Sequence, residues 1–334
     1  MTKNKKRRTL KDVAEAANVS EMTVSRVLRK SGTVSAGTRK TVLAAIDRLG
    51  YVENRMAGSL ATARSNQVAV IIPSLSNHVF TEVLSGISEM LDREGYQAVV
   101  GVSDYSIAKE EELVYSMMSW RPAGFVVSNV RHSPKTRNVL LNADIPVVEI
   151  MNLPEDPIEM CVGLNHAEAG QALAAYMITK KYRRFGYVGW NESDYAAAIR
   201  FQAIKAELER HGFGIFAPDL FNRPPNLAAG KSGLIRLLEQ APDRDAVFFS
   251  NDTAATGGLM HCLQAGISVP DRLAIAGFSG LESGQNLPKR LTTILTNRYE
   301  TGRRAARNIL QQLSNTPVSL RWDMGFELIE GETG

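Results

Sequence analysis

Apolar residues along this chain keep two different periods, and the change from one to the other divides it. In TLKDVAEAANVSEMTVSRVL, Leu10, Val13, Ala14 and Ala17 recur at i, i+3, i+4 and i+7, which predicts one stripe of a short helix with Thr9 as its N-cap. Asn18 tolerates the left-handed conformation that stops a helix, and Ser20 is placed to cap the next one. In that second helix Val24, Val27 and Leu28 form the inward stripe, leaving Glu21, Met22, Ser25 and Arg26 outward. A loop with Gly32 leads to Ser35, a fresh N-cap, and to a third helix carrying Val42, Ala45, Ile46 and Leu49 that Gly50 ends. Two short helices on a tight turn, the second showing a hydrogen-bonding face, predict a helix-turn-helix; spacing alone also admits a helical hairpin whose polar face is merely solvated.

From Gln67 onward the period changes. Short apolar runs alternate with amphipathic helices: VAVIIPSL, QAVVGVSD, AGFVVSN and IPVVEIM form a first series, and CVGLN, FGYVGW, AVFFSND and LAIAGFSG a second, before LTTILTN and the helix around ETGRRAARNILQQL. Near-continuous apolar strands separated by helices imply parallel sheets covered on both faces. The predicted fold is therefore α/β: a small all-α headpiece over residues 1–53, a hinge at 54–66, and a two-lobed body over 67–334. The lobes are expected at 67–161 plus 292–318 and at 162–291 plus 319–334.

Ligands of open α/β sheets sit beyond the carboxyl ends of strands. Polar residues collect there, among them Ser74, Asn77, Ser103, Ser128, Asn129, Glu149, Asn165, Trp190, Asn251, Asp252 and Ser279, although loops after strands are polar in any case. Arg200 lies in AAAIRFQA, a guanidinium among apolar neighbours, and is expected to face the protein or a ligand; a structural ion pair is the alternative.

Charge sharpens the division. Residues 1–64 hold 14 Lys or Arg against 5 Asp or Glu, a net +9, while the rest, with 25 against 30, carries −5. A basic head on an acidic body fits a phosphate-binding module joined to an unrelated domain. With 334 residues, 44% of them hydrophobic, there is core for two or three units. No apolar run follows the basic MTKNKKRR and none approaches a membrane span, so neither a signal peptide nor a membrane partner is expected, and the location is expected to be cytoplasmic. Cys161 and Cys262 are the only cysteines and lack CxxC spacing.

At this point the head shows a resemblance. TLKDVAEAANVSEMTVSRVL, then VSAGTR, then LGYVENRMAGSLAT, resembles in order and spacing the headpiece signature of the lactose/galactose repressor family. That resemblance implies double-stranded operator DNA as partner and Thr9, Ser20, Glu21, Met22, Thr23, Ser25 and Arg26 as the residues that contact it or set the reading helix. It further implies a hinge that becomes helical on DNA, with Asn54 as its cap, Arg55 near the backbone and Leu60 as a minor-groove wedge. Glu53 departs from a common hinge proline. Gly58 costs about 1 kcal/mol of helix propensity, so this segment is expected to order only against DNA.

The body resembles the family's effector domain, built like periplasmic sugar-binding proteins. Arg200 matches the family's effector-binding Arg, Asn251 and Asp252 match its FxSND motif at the cleft, and Asn165 and Ser279 fall at two further family positions; with Ser74, Asn77, Phe80 and Trp190 near strand ends, Arg200, Asn251, Asn165 and Ser279 make the expected effector-binding set. Ser279 and Asn165 stand where Asp is common; fewer carboxylates beside one Arg favour an anionic ligand. VIIPSLSNHVFTEVLSGI, EEELVYSMMSW and AIAGFSGLESGQ look like the branch that represses gluconate operons, which makes gluconate or a related sugar acid the expected effector. Without a leucine-heptad helix after ELIEGETG, the resemblance implies a homodimer.

Other chemistry finds little support. LAAGKSG lacks the leading glycine of a phosphate loop, GFSGLE has Leu281 where a nucleophile elbow needs glycine, and the five His show no metal spacing. No enzyme activity, metal or cofactor is expected. Two readings remain: a DNA-binding repressor released by its effector, or a cytosolic sugar-acid-binding protein or enzyme whose basic head serves another purpose.

Overall fold

A computed structural model of the chain describes residues 8–28, 34–52, 65–129, 131–190, 194–216, 218–221 and 226–334. By internal contacts the chain divides into Met1–Ser65 and Asn66–Gly334. In the first unit α1 (Leu10–Ala17) opens on a capping box: the Thr9 hydroxyl accepts from the Asp12 amide, and the Asp12 carboxylate accepts from the Thr9 amide at 2.7 Å. Asn18 closes it in the left-handed conformation, φ 53°. Ser20 Oγ then accepts from the Thr23 amide at 3.2 Å and starts α2 (Glu21–Leu28); Ser35 and Gly50 begin and end α3 (Ala36–Leu49). Val13, Ala14, Ala17, Val24, Val27, Val42 and Ala45 make the shared core, with Leu28 half-buried at its edge.

The second unit holds two parallel sheets. The first contains β1 (Gln67–Ile72), β2 (Gln97–Val102), β3 (Gly124–Val127), β4 (Val147–Asn152), β5 (Met160–Leu164) and β11 (Arg321–Asp323), in the order β11-β5-β4-β3-β1-β2. Strand alternation covers both faces: Val68, Val70 and Ile72 pack with α4 (His78–Arg93) and α12 (Arg298–Leu313), whereas Ala69 and Ile71 pack with α5 (Ile107–Met118) and α6 (Pro134–Leu141). The second sheet, β7-β6-β8-β9, is built from β6 (Phe185–Trp190), β7 (Asp219–Phe221), β8 (Ala246–Phe249) and β9 (Ala274–Ala276). Helices α7 (His166–Thr179) and α8 (Tyr195–Arg210) cover one face, and α9 (Leu227–Gln240) and α10 (Asp252–Ala265) the other. A short α11 (Glu282–Gln285) follows β9, and β10 (Thr293–Thr296) pairs antiparallel with β12 (Phe326–Ile329) beside this sheet. Among the described residues no helix is long and apolar enough to cross a membrane.

The sheets correct the expected lobe edges. CVGLN opens no second series: Met160–Leu164 pairs with β4 in the first sheet, as Arg321–Asp323 does with β5. Thr293–Thr296, assigned to the first lobe, belongs with the second. The chain therefore crosses after Leu164, after Thr296 and between Asp323 and Phe326, not at 161, 291 and 318. A strand's own apolar pattern states that it is buried; which neighbour it pairs with is decided by residues far away in sequence.

Helices α4 and α12 touch backbone to backbone. A Cβ on Gly302 would lie 2.0 Å from the Val83 carbonyl oxygen, and one on Gly86 2.1 Å from that of Tyr299. Gly302→Ala is therefore expected to push these helices apart and destabilise the body by about 1–3 kcal/mol, read as a lower urea midpoint; an unchanged midpoint would contradict this packing.

Candidate functional site

Helix α2 presents one side to its own core and the other outward. Val24 and Val27 are buried, whereas Glu21 and Arg26 are exposed and Met22 is 63% exposed. Neither Glu21 nor Arg26 has a protein partner for its side chain among the described residues. Thr23 Oγ1 and Ser20 Oγ are 2.9 Å apart at the start of the helix, so these two set its first turn. Thr9 does the same for α1. The geometry offers an acceptor, a donor fork and an apolar tip on one helical face, which is the equipment for reading base edges. Asn54, Arg55 and Leu60, expected in the hinge, lie outside the described residues.

Within the body a cleft opens between the lobes at the carboxyl ends of the strands. Asn77, Phe80, Ser103, Tyr105, Ser128, Asn129 and Asn152 line it from the first lobe, and His166, Asp194, Arg200, Asn251, Phe278 and Ser279 from the second. Thr296, Arg298, Thr301 and Met324 line it where the chain crosses. Of the residues expected there, Asn77, Phe80, Arg200, Asn251 and Ser279 are brought together. Three are not among the lining. Ser74 Oγ is 2.9 Å from Ser76 Oγ in a local turn; Asn165 is exposed and caps α7; Trp190 lies behind Tyr105, ring centroids 4.4 Å apart. Asn77 and Asn251 also cap helices, so their side-chain oxygens are already accepting amide bonds.

Arg200 is held without a counter-ion among the described residues. It is 8% exposed; Nη1 donates to His166 Nδ1 at 3.2 Å and Nη2 to the Ser250 carbonyl at 3.2 Å, while its guanidinium carbon sits 4.2 Å from the centre of the Phe278 ring. Its Nε is buried without a hydrogen-bond partner among the described residues. No carboxylate forms an ion pair with it among the described residues. Burial, with Arg200 beside it, holds His166 down to about 3, so the ring is neutral. A neutral ring that accepts at Nδ1 must carry its proton on Nε2, and Nε2 faces the Met151 carbonyl at 3.0 Å. His166 is thus a positioning group for Arg200.

A second guanidinium was not foreseen. Arg298 is 3% exposed and pairs with Glu82 at 2.8 Å, donates to Thr296 Oγ1 at 3.1 Å, and also donates to the Ser279 carbonyl of the other lobe. Ser279 adopts φ 117°, a backbone conformation rare for any side chain. Tyr105, Asp194, Phe278 and His166 were likewise missed; the only local signal was their place just after a strand or at a helix start.

Two expected polar groups serve elsewhere. Asp252 is fully buried, accepts from the Leu281 amide and the Thr293 hydroxyl at 2.6 Å each, and braces the second sheet; burial pushes its carboxyl up to about 6. Glu149 joins Glu110 and His132 in a buried cluster beside the Ser128–Asn129 rim. His132 Nδ1 lies 2.6 Å from Glu110 and Nε2 3.4 Å from Glu149, whose other oxygen accepts from the Ile158 amide at 2.6 Å.

A helix-turn-helix unit with an open reading face, joined to a two-lobed α/β domain around a polar cleft, defines a DNA-binding regulator with a sensor-type domain. The chain belongs to the lacI family of bacterial regulatory proteins: residues 9–54 match "Bacterial regulatory proteins, lacI family" and residues 174–333 match "Periplasmic binding protein-like domain". It is 34% identical to the HTH-type transcriptional regulator GntR of Escherichia coli over 98% of both chains. It is also 34% identical to the GntR of Pseudomonas aeruginosa over 100% of this chain and 99% of that one. The crystal structure of a lacI-family transcriptional regulator from Silicibacter pomeroyi, 43% identical, superposes with a TM-score of 0.93 over 98% of this chain and 99% of that chain. The chain is a DNA-binding transcriptional repressor of this family and not an enzyme.

The buried cluster predicts a pH dependence. Burial disfavours the charged imidazole, but the flanking Glu110 and Glu149 outweigh it and raise His132 to about 9. A basic group raised above its ordinary value contributes stability that is full below about 6.5 and lost as pH rises through 9. Urea midpoints of the wild type are therefore expected to fall between pH 6.5 and 9, and those of His132→Gln to fall less; equal slopes would contradict the pairing.

Proposed function

We propose that this repressor senses a sugar acid, gluconate or a close relative, in the cleft between its lobes, and that the ligand releases it from operator DNA. The observation that carries this reading is Arg200: a buried cation, aimed into a cleft, oriented by His166 and Ser250, with Nε unpartnered and no ion pair among the described residues. A buried charge without a partner costs several kcal/mol, and a carboxylate offers the forked hydrogen bonds that would offset it. The neutral amides and hydroxyls around it, Asn77, Ser103, Ser128 and Asn251, suit a polyol chain. The resemblance of VIIPSLSNHVFTEVLSGI, EEELVYSMMSW and AIAGFSGLESGQ to the branch that represses gluconate operons supports the same ligand class.

Linkage supplies the mechanism. A ligand shifts DNA affinity only by binding two lobe arrangements differently, and one that engages both lobes does so. The protein acts in the cytoplasm as a homodimer, each subunit placing α2 in one half-site of a pseudo-palindromic operator. Asn54, Arg55 and Leu60 form the hinge that orders on DNA, and Ser279, at the cleft, is an effector contact.

Two variants separate the sensor from the reader. Arg200→Ala is expected to keep operator affinity and lose release by gluconate in fluorescence anisotropy; release at the wild-type gluconate concentration would remove Arg200 from the site. Arg26→Ala is expected to weaken operator binding by about 1–3 kcal/mol and to relax selection at one base pair; unchanged affinity and selection would take Arg26 out of the reading face.

A further inference from the structure

The turn after β2 carries two left-handed residues in succession. Asp104 and Tyr105 are consecutive non-glycine residues in the left-handed region, at φ 52° and 58°. Asp tolerates that region, but for a bulky residue it is an outlier that persists only where surrounding contacts hold it. Asp104 is held by an ion pair with Lys109. The result is that Tyr105, rooted in the first lobe, reaches the second.

Three contacts define its position. The Tyr105 hydroxyl accepts from Asn77 Nδ2 at 3.1 Å, its ring meets the Trp190 ring edge-on at 78°, and both Tyr105 and Asn77 line the cleft. Asn77 thus owes its orientation to Tyr105 on one side and to the Val79 amide on the other. The Tyr105 hydroxyl proton has no acceptor among the described residues, and burial pushes its pKa up to about 12, so it stays protonated as a donor. Trp190 Nε1, on a residue 4% exposed, has no partner among the described residues either. Tyr105 from the first lobe and Arg200 from the second therefore bring hydrogen-bond donors to one cleft. Such a set is complementary to a molecule rich in acceptor oxygens along its length.

We propose that Tyr105 reads the effector from the first lobe, donating its hydroxyl proton to a ligand oxygen, and that its contact with Trp190 makes ligand occupancy select one lobe arrangement. Arg200 fixes one end of the ligand; Tyr105 distinguishes a ligand that also spans to the first lobe from one that only fills the second. Tyr105 is thus a specificity residue as well as the positioning group for Asn77. This rests on the reading of the cleft as a sugar-acid site.

The experiment titrates D-gluconate and other aldonic acids into the full chain bound to operator DNA, for wild type, Tyr105→Phe and Tyr105→Leu. Release is normalised to each variant's own gluconate-free operator affinity, and tryptophan emission is followed in parallel. The part of the emission change that Trp190→Phe removes is assigned to Trp190. Losing one hydrogen bond in Tyr105→Phe is expected to raise the gluconate concentration for half release about three- to tenfold while the Trp190 signal survives, because the ring remains. Tyr105→Leu, which removes ring and hydroxyl, is expected to lose the Trp190 signal as well. Both variants releasing at the wild-type concentration would overturn the proposal and leave the cleft reading standing. A wild type that responds to none of the acids would overturn the cleft reading and this proposal together.

Discussion

The constraint on which the rest of the body depends is a buried guanidinium with no counter-ion among the described residues. Arg200 is stabilised by a neutral imidazole, a carbonyl and an aromatic face, a set that orients the charge but does not neutralise it. His166 can accept from it only while uncharged, and Arg200 itself helps to keep it so. The pair is self-consistent: each group sets the state the other needs. Arg200 is among the residues that line the cleft, and in the proposed reading a ligand carboxylate supplies there the charge that these partners do not.

Around that group the fold supplies two rigid walls and a jointed connection. Each sheet is covered on both faces, so each lobe is a packed unit, and three crossings tie the lobes together at the same end as the cleft. Arg298, the first residue of α12, bonds to Glu82 of one lobe and to the Ser279 carbonyl of the other. The strained backbone at Ser279 aims that carbonyl across the junction. Relative movement of the lobes must therefore exchange specific hydrogen bonds, and a ligand that changes their balance biases one arrangement over the other.

How much of this was legible in the sequence follows from how local each signal is. The headpiece was readable almost residue by residue, because Thr9, Asn18, Ser20, Ser35 and Gly50 act within four residues of where they stand. The strands were readable as buried, but Val162 and Thr293 were placed in the wrong lobe, since pairing partners are not written in a strand's own pattern. At the cleft, Arg200 was visible as a charge among apolar neighbours, whereas its contact with His166 spans 34 positions and leaves no local trace. Tyr105 and Arg298 matter because they reach across the junction, which no spacing rule reports. Ser74 and Asn165 show the opposite error: polar residues after strands that serve the turn and the helix start beside them.

The most direct test of the central claim is fluorescence anisotropy of the full chain on DNA from upstream of its own and neighbouring genes, at fixed salt, with and without gluconate and related sugar acids. The account predicts specific binding that a sugar acid weakens, with a neutral sugar of the same length having no effect. Specific binding that no sugar acid alters, or that the neutral sugar alters equally, would contradict it.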